Sequence, residues 1–151
     1  TATADEEYMT LCIELAKKAA EKGECPVGAI VVDKAGRIIG EGYNMREVEQ
    51  MPTAHAEIIA IEQAAKAMNS WRLTECTLYV TLEPCPMCAG AIINSRIKRL
   101  VYGAFDEKGG ACASLMEMFD YPFNHRPMVR SRVLQDECAK LLTDFFKDLR
   151  T

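Results

Sequence analysis

Two short segments lying apart in the chain, His55-Ala56-Glu57 and Pro84-Cys85-Pro86-Met87-Cys88, place the strongest constraint on how it can fold. Together they offer one imidazole, two thiols and one carboxylate. If the imidazole and the thiols hold one metal, the fold must bring the segments together. A closed structural zinc takes four protein ligands, whereas a catalytic zinc takes three and leaves its fourth position to water. Three ligands, with a carboxylate two residues after the histidine, match the second pattern, in which the carboxylate is free to move protons to and from that water. A lone C-x-x-C also spells a redox pair, and Cys76, Cys112 or His125 could complete a four-ligand structural site. The combination of both segments favours the open site. Cys12, Cys25, Cys76 and Cys138 fit small core residues, and His125 is expected in a loop.

Periodicity places each segment just after extended chain, at a helix start. Residues 5–22 carry a helical apolar stripe, Met9, Cys12, Ile13, Leu15, Ala16 and Ala19, which Gly23 ends. Residues 27–32 and 37–40 read as a hairpin around Asp33-Lys34-Ala35-Gly36, and 43–53 as loop. Helices are expected over 55–68, 85–95, 114–119 and 136–149, and strands over 76–82, 98–102 and 128–130. With no linker, repeat or low-complexity segment, this alternation predicts one layered α/β domain over residues 1–151. Pro84 suits a first helical turn, and Cys85 and Cys88, three apart, then share a face. The positive end of the helix dipole favours thiolate there. His55 and Glu57 would point nearly opposite ways inside a helix. They are therefore expected in its first turn, with Glu57 reaching the water rather than the metal.

At 151 residues, nearly half of them apolar, the chain can bury roughly two thirds or more of its unfolded surface. No apolar run approaches the roughly 18 residues of a membrane span, and residues 1–8 are polar and acidic, unlike a signal peptide. A soluble, cytoplasmic protein that does not associate with membrane is expected, and the first residue, not methionine, fits a trimmed or engineered start. Seven irregularly spaced cysteines suit reduced thiols plus a metal better than a disulfide framework. The net charge of −4 argues against a polyanionic partner, but its distribution weakens the objection. Acidic residues outnumber basic ones 12 to 7 through Trp71, against 10 to 11 beyond it. Arg96, Lys98, Arg99, Lys108, Arg126, Arg130, Arg132, Lys147 and Arg150 could thus form a basic face or stand as scattered solvated charges.

The H-x-E and P-C-x-x-C pair resembles the signature of the zinc-dependent cytidine and nucleobase deaminases. Further segments resemble the bacterial tRNA-specific adenosine deaminases over about residues 8–150. They include Pro26-Val27-Gly28-Ala29, Asn44, Pro52-Thr53-Ala54-His55, Trp71-Arg72-Leu73 and Leu78-Tyr79-Val80-Thr81-Leu82-Glu83. Met87-Cys88-Ala89-Gly90, Val101-Tyr102-Gly103-Ala104, Ser114-Leu115-Met116, Phe123-Asn124-His125-Arg126 and Phe145-Phe146-Lys147 continue the match. The resemblance implies a three-layer α/β/α sandwich with a five-stranded mixed sheet, cytidine deaminase-like, and a homodimer. It implies one zinc ion (Zn2+) per chain on His55, Cys85 and Cys88, lowering the pKa of a bound water toward about 7. The implied reaction converts the wobble adenosine of a tRNA anticodon stem-loop to inosine and releases ammonia, with Glu57 carrying the proton from water to adenine N1 and then to the departing amine.

The same resemblance makes Asn44, Ala56, Asp106, Asn124, Phe145 and Phe146 substrate-binding candidates, with the Ala56 and Cys85 backbone N–H groups near enough to helix starts to steady the water or the base. Phe145 and Phe146 cannot face one way on a helix, so one is expected on the core and the other at the anticodon-loop site. Pro86 stands where many tRNA deaminases have valine, and Pro-Cys-Pro-Met-Cys is also found in guanine and cytosine deaminases. A free-base deaminase is therefore an alternative, against which the Phe-Asn-His-Arg and Trp-Arg-Leu segments and the basic-ended last helix weigh. An alternative of another class is a catalytically silent, zinc-containing RNA-binding subunit, for which Glu57 would have no use.

Overall fold

A computed structural model describes the backbone of residues 2–150 and the side chains of residues 4–149. Five strands, β1 (Gly28–Val32), β2 (Ile38–Tyr43), β3 (Thr77–Leu82), β4 (Arg99–Ala104) and β5 (Met128–Arg130), form one sheet in the order β2-β1-β3-β4-β5. β1 runs antiparallel to β2 and β3, while β3, β4 and β5 are parallel, so the sheet is mixed. The helices are α1 (Ala2–Glu21), α2 (Arg46–Glu49), α3 (Ala56–Met68), α4 (Pro86–Ser95) and α5 (Gln135–Arg150). Among the described residues no helix is long and apolar enough to cross a membrane.

Successive side chains of a strand point to opposite faces of a sheet, which sorts the core into two layers. Ala29, Val31, Leu78, Val80, Leu100 and Tyr102 pack with α3 and α4 residues such as Ala60, Ala64, Ala89 and Ile92. Ile30, Val32, Tyr79 and Val101 instead meet Met9, Cys12 and Leu15 of α1 and Cys138 of α5. Because β1 and β3 are covered on both faces, they read as nearly continuous apolar runs rather than alternating ones. The expected three-layer α/β/α sandwich is the observed fold.

Three local departures have physical reasons. The second strand, expected to end at Gly40, continues through Gly42 to Tyr43 as β2. Both glycines lie under α3, which is so close that a Cβ would strike the Ala60 carbonyl at Gly40 and the Ala56 carbonyl at Gly42. Residues 43–53, expected as loop, contain α2, whose Glu47 and Val48 N–H groups donate to the buried Glu24 carboxylate at 3.2 and 2.8 Å. A cap supplied from so far along the chain leaves no local trace. The helix expected over 114–119 is only a 3-10 turn, Met118–Asp120. The N–H groups of Cys112, Ala113 and Ser114 are spent on the Glu83 carboxylate, which sets the preceding chain in an irregular path.

Candidate active site

The C-terminal ends of β3 and β4 share one edge of the sheet with the start of β1 and the end of β2. Leu82 leads through Glu83 and Pro84 to Cys85, Ala104 leads to Asp106, and Tyr43 leads to Asn44. His55 and Cys85 each occupy the extended position before a first helical turn, at φ/ψ −83/151 for His55 and −75/174 for Cys85. Pro86, rather than Pro84, takes the first helical position of α4, where a missing N–H breaks no hydrogen bond and a fixed φ suits the helix. The placement gives Pro86 a backbone reason that has nothing to do with the substrate. Cys88 follows within the same first turn, and Glu57 is the second residue of α3.

Two helix starts thus bring the three soft ligands together. His55 Nδ1 lies 3.6 Å from Cys85 Sγ and 3.6 Å from Cys88 Sγ, and all three atoms lie within 4.8 Å of one another. A tetrahedral zinc with Zn–N near 2.0–2.1 Å and Zn–S near 2.3 Å separates its nitrogen and sulfur ligands by about 3.6 Å. The donor set and its spacing therefore fit zinc. Among the described residues this is the group of histidine, cysteine and acidic side chains placed to hold a metal.

Charge is distributed to match. Hydrogen bonding with the Cys88 thiol, and also with His55, draws the Cys85 thiol down to about 4 against the opposing effect of burial. Cys88, the partner in that bond and itself buried, is pushed up. Hydrogen bonding with Cys85 raises His55. Glu57 is only 4 % exposed, and burial lifts its carboxyl to about 7, with the charge on Cys85 adding to the rise. It is thus a carboxyl beside the ligand set whose affinity for a proton lies near neutrality.

The cleft at this site, about 170 Å³, is lined by Asn44, Arg46, His55, Glu57, Cys85 and Asp106 together with Cys25, Val27, Leu82 and Glu83. A larger hollow of about 940 Å³ adjoins it, sharing Cys25, Leu82 and Asp106 and walled by Phe105 and Phe146. Of the two adjacent phenylalanines, Phe146 faces this hollow, while Phe145 turns toward Lys17, Ala20 and Pro26. Phe145 therefore lies outside the site cleft. Asn44 Oδ1 accepts the Ala56 N–H at 2.8 Å, so that N–H is committed to Asn44 and does not face a water or a base as expected. Asp106 Oδ1 accepts N–H groups from Lys108 and Gly109 at 3.2 and 3.1 Å and so closes its own turn.

Asn124 is not brought to the cleft of its own chain. Its exposed segment precedes β5 at the opposite edge of the sheet, where His125 Nε2 lies 2.6 Å from the Ile97 carbonyl. Sequence reasoning gave Glu83 no role, although it is 2 % exposed and the most heavily hydrogen-bonded group beside the site. Its Oε2 accepts the Cys112, Ala113 and Ser114 N–H groups at 3.0, 2.8 and 3.0 Å. Its Oε1 accepts the Asp106 N–H at 3.1 Å and the Ser114 hydroxyl at 2.5 Å. Burial alone would raise this carboxyl, but hydrogen bonds led by those of Ser114 hold it below its ordinary value. The available signal was an acid at a strand end just before Pro-Cys, a place where burial is costly unless every lone pair is used.

Comparison with known proteins is consistent with this site. A family profile described as MafB19-like deaminase matches residues 3–150. The tRNA-specific adenosine deaminase of Bacillus subtilis (strain 168) is 52 % identical over 149 residues, covering 98 % of this chain and 92 % of that protein. That of Haemophilus influenzae is 55 % identical over 147 residues, covering 97 % and 85 %. A structure solved in a study of A-to-I editing by tRNA:A34 deaminases superposes with a TM-score of 0.87 at 44 % identity, covering 90 % of this chain and 99 % of that one. A matching fold, a zinc-compatible ligand set and near full-length identity converge: the chain belongs to the MafB19-like deaminases and, among them, to the tRNA-specific adenosine deaminase family.

Proposed function

We propose that the protein hydrolytically deaminates the wobble adenosine of a tRNA anticodon to inosine. The observation that carries this reading is a buried carboxyl, Glu57, beside a His55–Cys85–Cys88 triad with zinc-like spacing, in a chain whose relatives at 52 % and 55 % identity are named for this activity. His55, Cys85 and Cys88 would hold one zinc ion, which supplies a water acidic enough to react near neutral pH, its pKa brought to about 7. Glu57 would carry a proton from water to adenine N1 as the water oxygen bonds to C6. It would then take the proton of the new C6 hydroxyl and pass it to the amine, so that the C6–N6 bond breaks as the C6 carbonyl forms and ammonia leaves. One water is consumed, and a carbonyl replaces the amine.

Asn44 holds α3 by the Ala56 N–H, which fixes Glu57 one residue later. With its Oδ1 so used, the Asn44 amide N–H groups remain the part suited to an acceptor on the base edge. The hollow beside the cleft, with Phe105, Phe146 and Asp106, gives room for nucleotides attached to the target, which a free base would not need. The free-base alternative rested on Pro86, whose place at the start of α4 is sufficient reason for a proline. Incubating the zinc-loaded protein with an anticodon stem-loop and analysing nucleosides by mass spectrometry tests the reading. Inosine is expected only at the wobble position, with free guanine and cytosine untouched; no inosine, or turnover of a free base in its place, overturns it.

The chain acts as a homodimer in the cytoplasm, where mature tRNA is decoded. Support for the dimer comes from exposed Leu115, Met116, Tyr121, Phe123, Met128 and Val129, apolar residues of the same stretch of chain as Asn124. Pairing would bury them and could bring Asn124 to the other chain's cleft. Light scattering is expected to give twice the chain mass, and a monomer across the working concentration range contradicts it.

A further inference from the structure

The geometry points to Glu83 as a positioning residue for substrate binding, acting through Asp106. This rests on the reading of Asp106 as an RNA contact. Glu83 sits between β3 and the ligand Cys85, and its two oxygens divide their work. Oε2 gathers the N–H groups of Cys112, Ala113 and Ser114, whereas Oε1 takes the Asp106 N–H and the Ser114 hydroxyl. One carboxylate therefore ties both ends of the 106–114 loop to the chain that carries a metal ligand. Asp106 lines the site cleft and the adjoining hollow, so the tie sets how far the Asp106 wall stands from Cys85 and Glu57. Gly110 permits the arrangement: a Cβ there would fall 2.5 Å from each Glu83 oxygen, so the carboxylate packs directly against the glycine backbone. These donors satisfy the buried acid, and their placement sets it between a ligand and a wall of the site.

Glu83→Gln separates the two arms by chemistry. An amide can keep its oxygen on the Cys112, Ala113 and Ser114 N–H groups, but its nitrogen then faces the Asp106 N–H, donor against donor. Asp106→Asn is the companion change, since its side-chain oxygen can still accept from Lys108 and Gly109. The test measures the dissociation constant of an anticodon stem-loop by fluorescence anisotropy for four zinc-loaded proteins in a Glu57→Ala background: parent, each single variant and the pair. Glu83→Gln is expected to weaken binding about tenfold alone but less than about twofold when Asp106→Asn is present, with one zinc per chain throughout. Additive effects, or unchanged binding in Glu83→Gln, overturn the inference.

Gly110→Ala is the second variant, because it displaces the carboxylate without removing its charge, and the same loss of additivity with Asp106→Asn is expected. If both variants lose zinc or the folded state, Glu83 is a folding residue and the positioning role is wrong. Failure of the underlying reading shows separately: a parent that does not bind the stem-loop refutes the RNA substrate, and this inference with it.

Discussion

Glu57 is the residue on which chemistry and geometry bear most directly. It is buried, follows the candidate ligand His55 by two positions, and belongs to a helix start held by Asn44. A group that holds and releases a proton can be removed without removing the metal. Glu57→Gln keeps the side chain's shape, so the variant is expected to fold, retain one zinc per chain by metal analysis, and lose about 10²- to 10⁴-fold in kcat on the stem-loop. Retained turnover would refute the proton shuttle, and lost zinc would show that the carboxylate is needed to build the site. That His55, Cys85 and Cys88 would meet, with Glu57 beside them, was legible in the sequence because metal chemistry accepts few residue types and leaves a spacing behind. Glu83 and the Asn44–Ala56 bond were not. Their roles come from partners that only the folded chain brings near, and an acid or an asparagine has too many uses for its identity to decide.

Elements with their own periodicity were equally readable. The apolar stripe of α1 and the runs of β1 and β3 follow from burial patterns repeating at 3.6 or 2 residues or filling both faces. Where a segment's conformation is imposed from outside, the local pattern misleads. α2 exists because the Glu24 carboxylate caps it, and the chain at 112–116 is irregular because the Glu83 carboxylate and the Gly110 carbonyl take its N–H groups. The prolines of Pro-Cys-Pro carry the same lesson in a smaller compass: both can start a helix, and the extended backbone at Cys85 decides for Pro86. Nor can spacing along the chain reveal at which edge of the sheet a loop emerges. Asn124 belongs to a segment that matches the deaminases in sequence, yet within one chain it stands away from the cleft, because the connection to β5 must cross to the start of a parallel strand.

At the scale of the whole molecule, one buried acid ties α1 to three strands. Asp5, 1 % exposed, accepts hydrogen bonds from Tyr79 Oη at 2.7 Å, from Arg99 Nη1 and Nη2 at 2.8 and 2.6 Å, and from Arg130 Nη1 at 2.6 Å. These donors come from β3, β4 and β5, so the cluster fastens the helix across the parallel half of the sheet. Burial by itself would raise the Asp5 carboxyl, but the bonds from Arg99, Tyr79 and Arg130 outweigh it and hold it well below the usual carboxylate range. A carboxyl whose folded pKa lies below its unfolded value of about 3.9 contributes fully above that value and progressively less as the pH falls from there toward the folded one. Asp5→Asn is therefore expected to cost about 2–3 kcal/mol near neutral pH, less than the about 3–5 kcal/mol of a fully buried pair because both guanidiniums reach solvent. The difference between the two proteins should hold steady down to about pH 5, then shrink by about 1.4 kcal/mol for each further pH unit below about 3.9. Denaturant unfolding of both proteins at matched pH reads it. Acid also releases a metal from thiolate and imidazole ligands, but that loss is common to both and cancels in the difference. A gap that stays constant to about pH 3 would mean that the Asp5 cluster holds the molecule by shape rather than by charge.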